Sequence, residues 1–166
     1  MNRSALALNR WAIVLAATIT AGDLIIKHVV EAVLTGVERQ IPVTSFFNLA
    51  LGYNRGISFG LLASDSAYSP YILAAIALLI AAGLTVWLWR NDHLLQKFGL
   101  AAIVGGATGN AVDRLEDGAV TDFLDFYLAA YHWPAFNLAD VAIVCGVGAL
   151  LIGSMRERPQ ATPSNG

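Results

Sequence analysis

PYILAAIALLIAAGLTVWLW, Pro70–Trp89, holds no charge, and its one aliphatic hydroxyl is Thr85. A helix of about 20 apolar residues matches the hydrocarbon core of a bilayer, roughly 30 Å thick. An amphipathic helix on a soluble core would show a polar stripe every three to four residues, and none is present here. Three more stretches reach a similar length: about Trp11–Val30, Leu94–Val112 and Leu138–Met155. The first is too long in its apolar part for a cleavable signal peptide and reads as a retained span. The expected fold class is therefore an all-α polytopic membrane protein with four transmembrane helices.

Composition agrees. Of 166 residues, 57% are hydrophobic and 13% charged, and mean hydropathy is +0.61. Soluble domains carry about 25% charged residues. The net charge is −2 and there is no basic stripe, which argues against nucleic-acid binding. The one cysteine, Cys145, excludes an internal disulfide and a cysteine metal cluster and reads as a small packing residue. Residues 1–155 are expected to form one membrane-embedded unit. The polar tail 156–166, with two prolines, is expected to be disordered.

Lysine and arginine in short loops set membrane orientation. Arg3, Arg10, Arg90, Lys97, Arg156 and Arg158 fall on one side. Arg39, Arg55, Arg114 and Lys27 fall on the other, with most of the acids. Both termini should face the cytoplasm, and the outer loops, about 31–69 and 113–137, should face out. The first outer loop contains QIPVTSFFNLALGYN, Gln40–Asn54, rich in β-branched and aromatic residues. That predicts short strands, which could serve as a platform for an extended peptide.

The polar residues inside the spans converge on the outer end. Asp23 lies roughly 18 Å above Trp11 on a helix, with Lys27 one turn higher. Asn110, Asp113 and Arg114 close the third span. FNLADVAIV, Phe136–Val144, opens the fourth with Asn137 and Asp140. Intramembrane ionisable groups mark function, although each has a plainer reading. Asp23 and Lys27 are spaced to pair on one helix face. Arg114 could anchor a helix end at the headgroups. Asn137 and Asp140 have the spacing of a capping box. GGATG, Gly105–Gly109, reads as a small-residue stripe for close helix packing.

GISFG, Gly56–Gly60, matches the serine-hydrolase expression, but a strand-to-helix setting and a histidine partner are missing. His28, His93 and His132 are scattered, and no zinc motif occurs. Carboxylate chemistry remains. Two aspartates sharing a site cannot both ionise easily, so the pair can activate a water and donate a proton. TDFLDFY offers Asp122 or Asp125 as a partner for Asp140. In an extended segment their side chains point to opposite faces; in a helix they share one. The pattern does not choose.

The chain resembles the lipoprotein signal peptidase family, also called signal peptidase II. The matching pieces are D-x-x-x-K at Asp23–Lys27, YNRGISFG at Tyr53–Gly60, GGATGNAVDR at Gly105–Arg114, VTDF at Val120–Phe123 and FNLAD at Phe136–Asp140. The resemblance implies catalytic aspartates at Asp122 and Asp140, with Asn54, Asn110, Arg114 and Asn137 around them and Asp23 and Lys27 in support. It also implies four transmembrane helices with a small extracytoplasmic β-cradle, and no metal or cofactor. The implied substrate is a diacylglyceryl-modified prolipoprotein, cut just before the lipidated cysteine at the outer face of the bacterial inner membrane. Membrane lipids and a globomycin-type inhibitor are further expected partners, and a monomer is the expected state. One departure is Leu24, where the family commonly has glutamine. The competing reading is a small ion or proton carrier using Asp23, Lys27 and Asp140.

Overall fold

The computed structural model describes residues 3–36, 40–56 and 66–156. In chain order the elements are α1 (Arg3–Leu34), β1 (Gln40–Pro42), β2 (Phe47–Asn54), α2 (Ser69–Arg90), α3 (Leu94–Glu116), β3 (Val120–Leu128), β4 (Tyr131–His132) and α4 (Leu138–Arg156). Each expected span is a helix. α3 runs a turn beyond its expected end and carries Asp113 and Arg114 within its last turns. The tail beyond Arg156 lies outside the described residues, as does GISFG after Gly56.

Among the described residues, three helices are long and apolar enough to cross a membrane: Leu6–Leu34, Ser69–Arg90 and Leu138–Arg156. They present large apolar side chains outward, Leu79 being 73% exposed and Val144 71%. Such an exterior suits hydrocarbon as its solvent. α3 is not among the three because it is the hub. It packs against α1, α2 and α4, so its surface meets protein and can hold Gln96, Lys97, Asn110, Asp113 and Arg114, all buried. Lys97, counted above as a turn cation, is buried and donates to Asn9 Oδ1. Cys145 was expected to pack inside and is instead exposed on α4.

The glycine stripe lets the neighbours close in. A Cβ on Gly105 would stand 2.7 Å from the Ala16 carbonyl oxygen of α1. On the adjacent face, a Cβ on Gly106 would strike the carbonyl oxygen of Ala139 and come within 2.9 Å of Ile143 on α4. Overpacking of this kind costs about 1–3 kcal/mol. Gly106→Ala should therefore push away the first turn of α4, which carries Asp140. The expected result is a lower melting temperature and a lower turnover together; an unchanged melt would contradict this packing.

The two longer connections lie at the same end of the bundle and form one sheet of order β1-β2-β3-β4. The strands expected over Gln40–Asn54 are β1 and β2, paired antiparallel. The segment left open between helix and strand is β3, extended and paired antiparallel with β2. The sheet sits on the end of α1, where Val30, Leu34 and Phe123 form a core with Ile41, Leu49, Leu51 and Leu124 packed around them.

β2 carries an irregularity that matters for the site. Leu49 faces Leu124 and Gly52 faces Asp122, so three steps on β2 match two on β3. One extra residue in a bulge reverses the facing of everything beyond it. Asn48 consequently lies on the face of Asp125, and Asn54 on the face of Asp122.

Candidate active site

Because β3 is extended, Asp122 and Asp125 diverge. Asp125 is buried and accepts from its cross-strand neighbour Asn48 Nδ2 at 2.9 Å, and it sits 2.8 Å from His132 Nδ1. Burial works against the charge, but the bonds from Asn48 and His132 outweigh it and hold the carboxyl below its usual range. A depressed carboxylate adds stability above its ordinary pKa and loses it as pH falls through the folded value. Asp125→Asn should cost about 1.5–3 kcal/mol, the size of a hydrogen bond to a charged group, and should flatten the acid side of a melt-versus-pH curve. A variant with an unaltered acid limb would refute this account.

Asp122 turns the other way. Its Oδ1 accepts from Asn137 Nδ2 at 2.7 Å and its Oδ2 from Asn54 Nδ2 at 3.3 Å. Asp140 stands on the first turn of α4. Its Oδ1 accepts from Asn110 Nδ2 at 2.9 Å and its Oδ2 from the Asn137 N–H at 3.3 Å. The Asp140 N–H in turn donates to Asn137 Oδ1 at 3.0 Å. This is the reciprocal capping box expected from the spacing. Asn137, fully buried, thus joins the two carboxyls: its side-chain amide serves Asp122 and its main chain serves Asp140. Burial, then the charge of Asp140, pushes the Asp122 carboxyl up to about 7, against the opposing bonds from Asn137 and Asn54.

A buried charge cluster supports the pair from behind. Lys27 Nζ lies 2.7 Å from Asp23 Oδ2 and 2.8 Å from Asp113 Oδ2, and donates to Asn110 Oδ1 at 2.9 Å. Its three N–H groups are thereby used. Since Lys27 occupies the amide oxygen of Asn110, the Nδ2 of Asn110 is turned toward Asp140. The other oxygen of Asp23 accepts from the Ala139 N–H at 2.9 Å and so helps to cap α4. The i, i+4 pairing expected of Asp23 and Lys27 is present, and it is one side of a larger network. Arg114 is buried. It donates to the Asn110 carbonyl at 2.9 Å and the Gly56 carbonyl at 2.7 Å. The Gly56 N–H donates to Asn54 Oδ1 at 3.0 Å, which leaves the Nδ2 of Asn54 for Asp122.

All eight expected site residues therefore meet in one network. Sequence reasoning did not assign Asp113, Thr121 or Gly56 to it. Asp113 was visible as the first acid of α3, one turn from Asn110 and beside Arg114. Thr121 donates its N–H to Asp113 Oδ2 and Gly56 its N–H to Asn54 Oδ1, main-chain contacts that side-chain identity does not reveal.

The model of the signal peptidase (SPase) II family matches residues 15–156. The chain belongs to the signal peptidase II family. Members of the family similar to it include the lipoprotein signal peptidase of Francisella tularensis subsp. novicida, 42% identical over 86% of this chain and 89% of that protein. That of Azoarcus sp. is 43% identical over 91% and 88%, and that of Ralstonia nicotianae 48% identical over 69% and 67%. Two solved bacterial membrane enzymes share the fold of this peptidase. One has a TM-score of 0.77 at 24% identity, covering 93% of each chain. The other has 0.72 at 25% identity, covering 88% of this chain and 93% of that one.

Proposed function

We propose that the protein is an aspartyl endopeptidase that removes the signal peptide from diacylglyceryl-modified prolipoproteins, with Asp122 and Asp140 as the reacting pair. The observation that carries this is Asn137, which bonds both carboxyls and holds them as one unit. Asp122 holds the proton, in keeping with its raised carboxyl, and Asp140 is the base. Asp140 takes a proton from a water, and the oxygen attacks the carbonyl carbon of the residue before the lipidated cysteine. Asp122 gives its proton to the carbonyl oxygen. As the tetrahedral centre collapses, the C–N bond breaks, the cysteine nitrogen takes a proton from Asp140, and one hydroxyl returns its proton to Asp122 as the C=O re-forms, which releases the signal peptide and restores the pair.

The membrane setting suits this substrate. α3 has 23 residues, roughly 35 Å of helix, and we read it as a fourth span screened from lipid by the other three. In this reading both termini lie in the cytoplasm, with the sheet and the aspartates at the outer face of the inner membrane, an orientation that the loop charges favour. There the acyl chains of a precursor would hold its scissile bond at the interface. One chain supplies every residue of the pair and its supports, which suits a monomer, and a globomycin-type peptide would compete for the same site. No metal or cofactor enters this mechanism. A carrier would need polar groups through the thickness of the bundle. On α1 and α3, the apolar residues Ala12, Ala16, Leu100 and Ala101 stand between the buried pair Asn9–Lys97 and the polar groups at Asp23 and Asn110, which favours the peptidase.

The test is turnover of a purified diacylglyceryl-modified precursor beside its unlipidated form, followed against pH. Only the lipidated precursor should be cut efficiently. Because Asp122 must donate a proton, the rate should fall as pH rises through about 7, where that carboxyl ionises. A rate that climbs steadily to pH 9 would contradict the assigned proton.

A further inference from the structure

Thr121, the residue before Asp122, is 1% exposed and is held from two helices. Its hydroxyl donates to Glu31 Oε1 of α1 at 2.6 Å. Its N–H donates to Asp113 Oδ2 of α3 at 3.1 Å. β4 pairs with β3 at Tyr127 and Leu128, and Phe136 bridges to Leu124. At Thr121 that role passes to the carboxylate of Asp113.

The same oxygen, Asp113 Oδ2, lies 2.8 Å from Lys27 Nζ. Lys27 donates to Asn110 Oδ1 at 2.9 Å, and Asn110 Nδ2 donates to Asp140 Oδ1 at 2.9 Å. A continuous path therefore runs from the main chain beside Asp122 to the carboxyl of Asp140. Asp113 and Asn110 are three apart on α3, which puts them on one helix face.

We propose that Asp113 is a positioning residue for the hydrolysis: it fixes β3 over the end of α3 at Thr121 and, through Lys27 and Asn110, ties the placement of Asp122 to that of Asp140. This rests on Asp122 and Asp140 being the reacting pair. Asp113 does not touch the substrate and acts through the height of one strand. Displacing a reacting group by about 1 Å can cost about 100-fold in rate. A partner whose sole duty was to neutralise Lys27 would have no need to reach the Thr121 N–H.

The experiment compares kcat and KM of Asp113→Ala and Asp113→Asn on a diacylglyceryl-modified precursor across pH, with a melt to establish folding. Asn keeps an acceptor for the Thr121 N–H and loses the charge; Ala loses both. Ala is expected to lower kcat about 100-fold with KM within about twofold, and Asn no more than about tenfold. The alkaline limb should move to lower pH in Ala, since a carboxyl further from the Asp140 charge is less raised. Equal impairment of Ala and Asn would make Asp113 a charge partner of Lys27 and overturn the proposal, as would wild-type kcat in Ala. Should Ala not fold, Asp113→Ser, too short to reach the strand, is read in its place against the same expectations. Loss of the dyad reading itself would show separately, as turnover by Asp122→Asn or Asp140→Asn.

Discussion

Asp122→Asn and Asp140→Asn are each expected to cut turnover about a thousandfold or more, the scale of a lost general acid or base, while the protein stays folded. Asparagine preserves the shape and still accepts hydrogen bonds. At position 140 it cannot take a proton from water; at position 122 it cannot deliver an acidic one. The one acceptor oxygen left in each variant can keep the contact from Asn137. The new amide nitrogen meets the donor of Asn54 or Asn110, so the melt should fall by about 2–4 °C, the scale of one lost hydrogen bond. Loss of the mutual repulsion that raises Asp122 should offset part of this in Asp140→Asn. Asp125→Asn is the control, since its carboxyl faces Asn48 and His132 across the sheet. It should keep substantial activity. A folded Asp125→Asn as inactive as the other two would mean that the reacting pair is wrongly assigned.

Lys27→Met should produce the largest loss of stability. Lys27 is 1% exposed and stands between Asp23 and Asp113, both buried as well. Methionine fills similar space but leaves two carboxylates facing each other in a low-dielectric interior. Breaking a buried pair by removing one partner costs about 3–5 kcal/mol, which in a chain of this size lowers a melt by about 10 °C or more. Turnover should fall further than stability explains, because the amide of Asn110 loses its shorter anchor and is held toward Asp140 only by the bond from Asn137 Nδ2 at 3.2 Å. Thermal unfolding in lipid or detergent, with turnover measured well below the melt, separates the two effects. A melt within about two degrees of wild type would contradict the charge network.

The helices were legible because a span has a strong signal: length and the absence of charge. Residues 70–89 show it most clearly. α3 was legible by its length and glycines, although its polar residues obscure it as a span; hub packing explains both. The capping box of Asn137 and Asp140 and the pairing of Asp23 with Lys27 were readable because they are local. What joins distant segments was not. Whether TDFLDFY formed a strand depends on its partner, β2, which lies far away in sequence, and so Asp122 and Asp125 could not be told apart by pattern. The bulge between Leu49 and Gly52 leaves no clear mark in the sequence, yet it decides that Asn54 and not Asn48 serves Asp122. Gly56, and Thr121 toward Asp113, contribute through backbone N–H groups that nearly every residue shares.

The central claim, that Asp122 and Asp140 together direct a water onto the bond before the lipidated cysteine, has one most direct measurement. A diacylglyceryl-modified precursor would be turned over in 18O-labelled water and the released signal peptide weighed. Wild-type protein and Asp125→Asn should yield a peptide ending just before the cysteine, with a single solvent oxygen in its new carboxyl group. Asp122→Asn and Asp140→Asn should yield none above background. The same labelled peptide from either of those two variants, at a rate near that of wild type, would contradict the account.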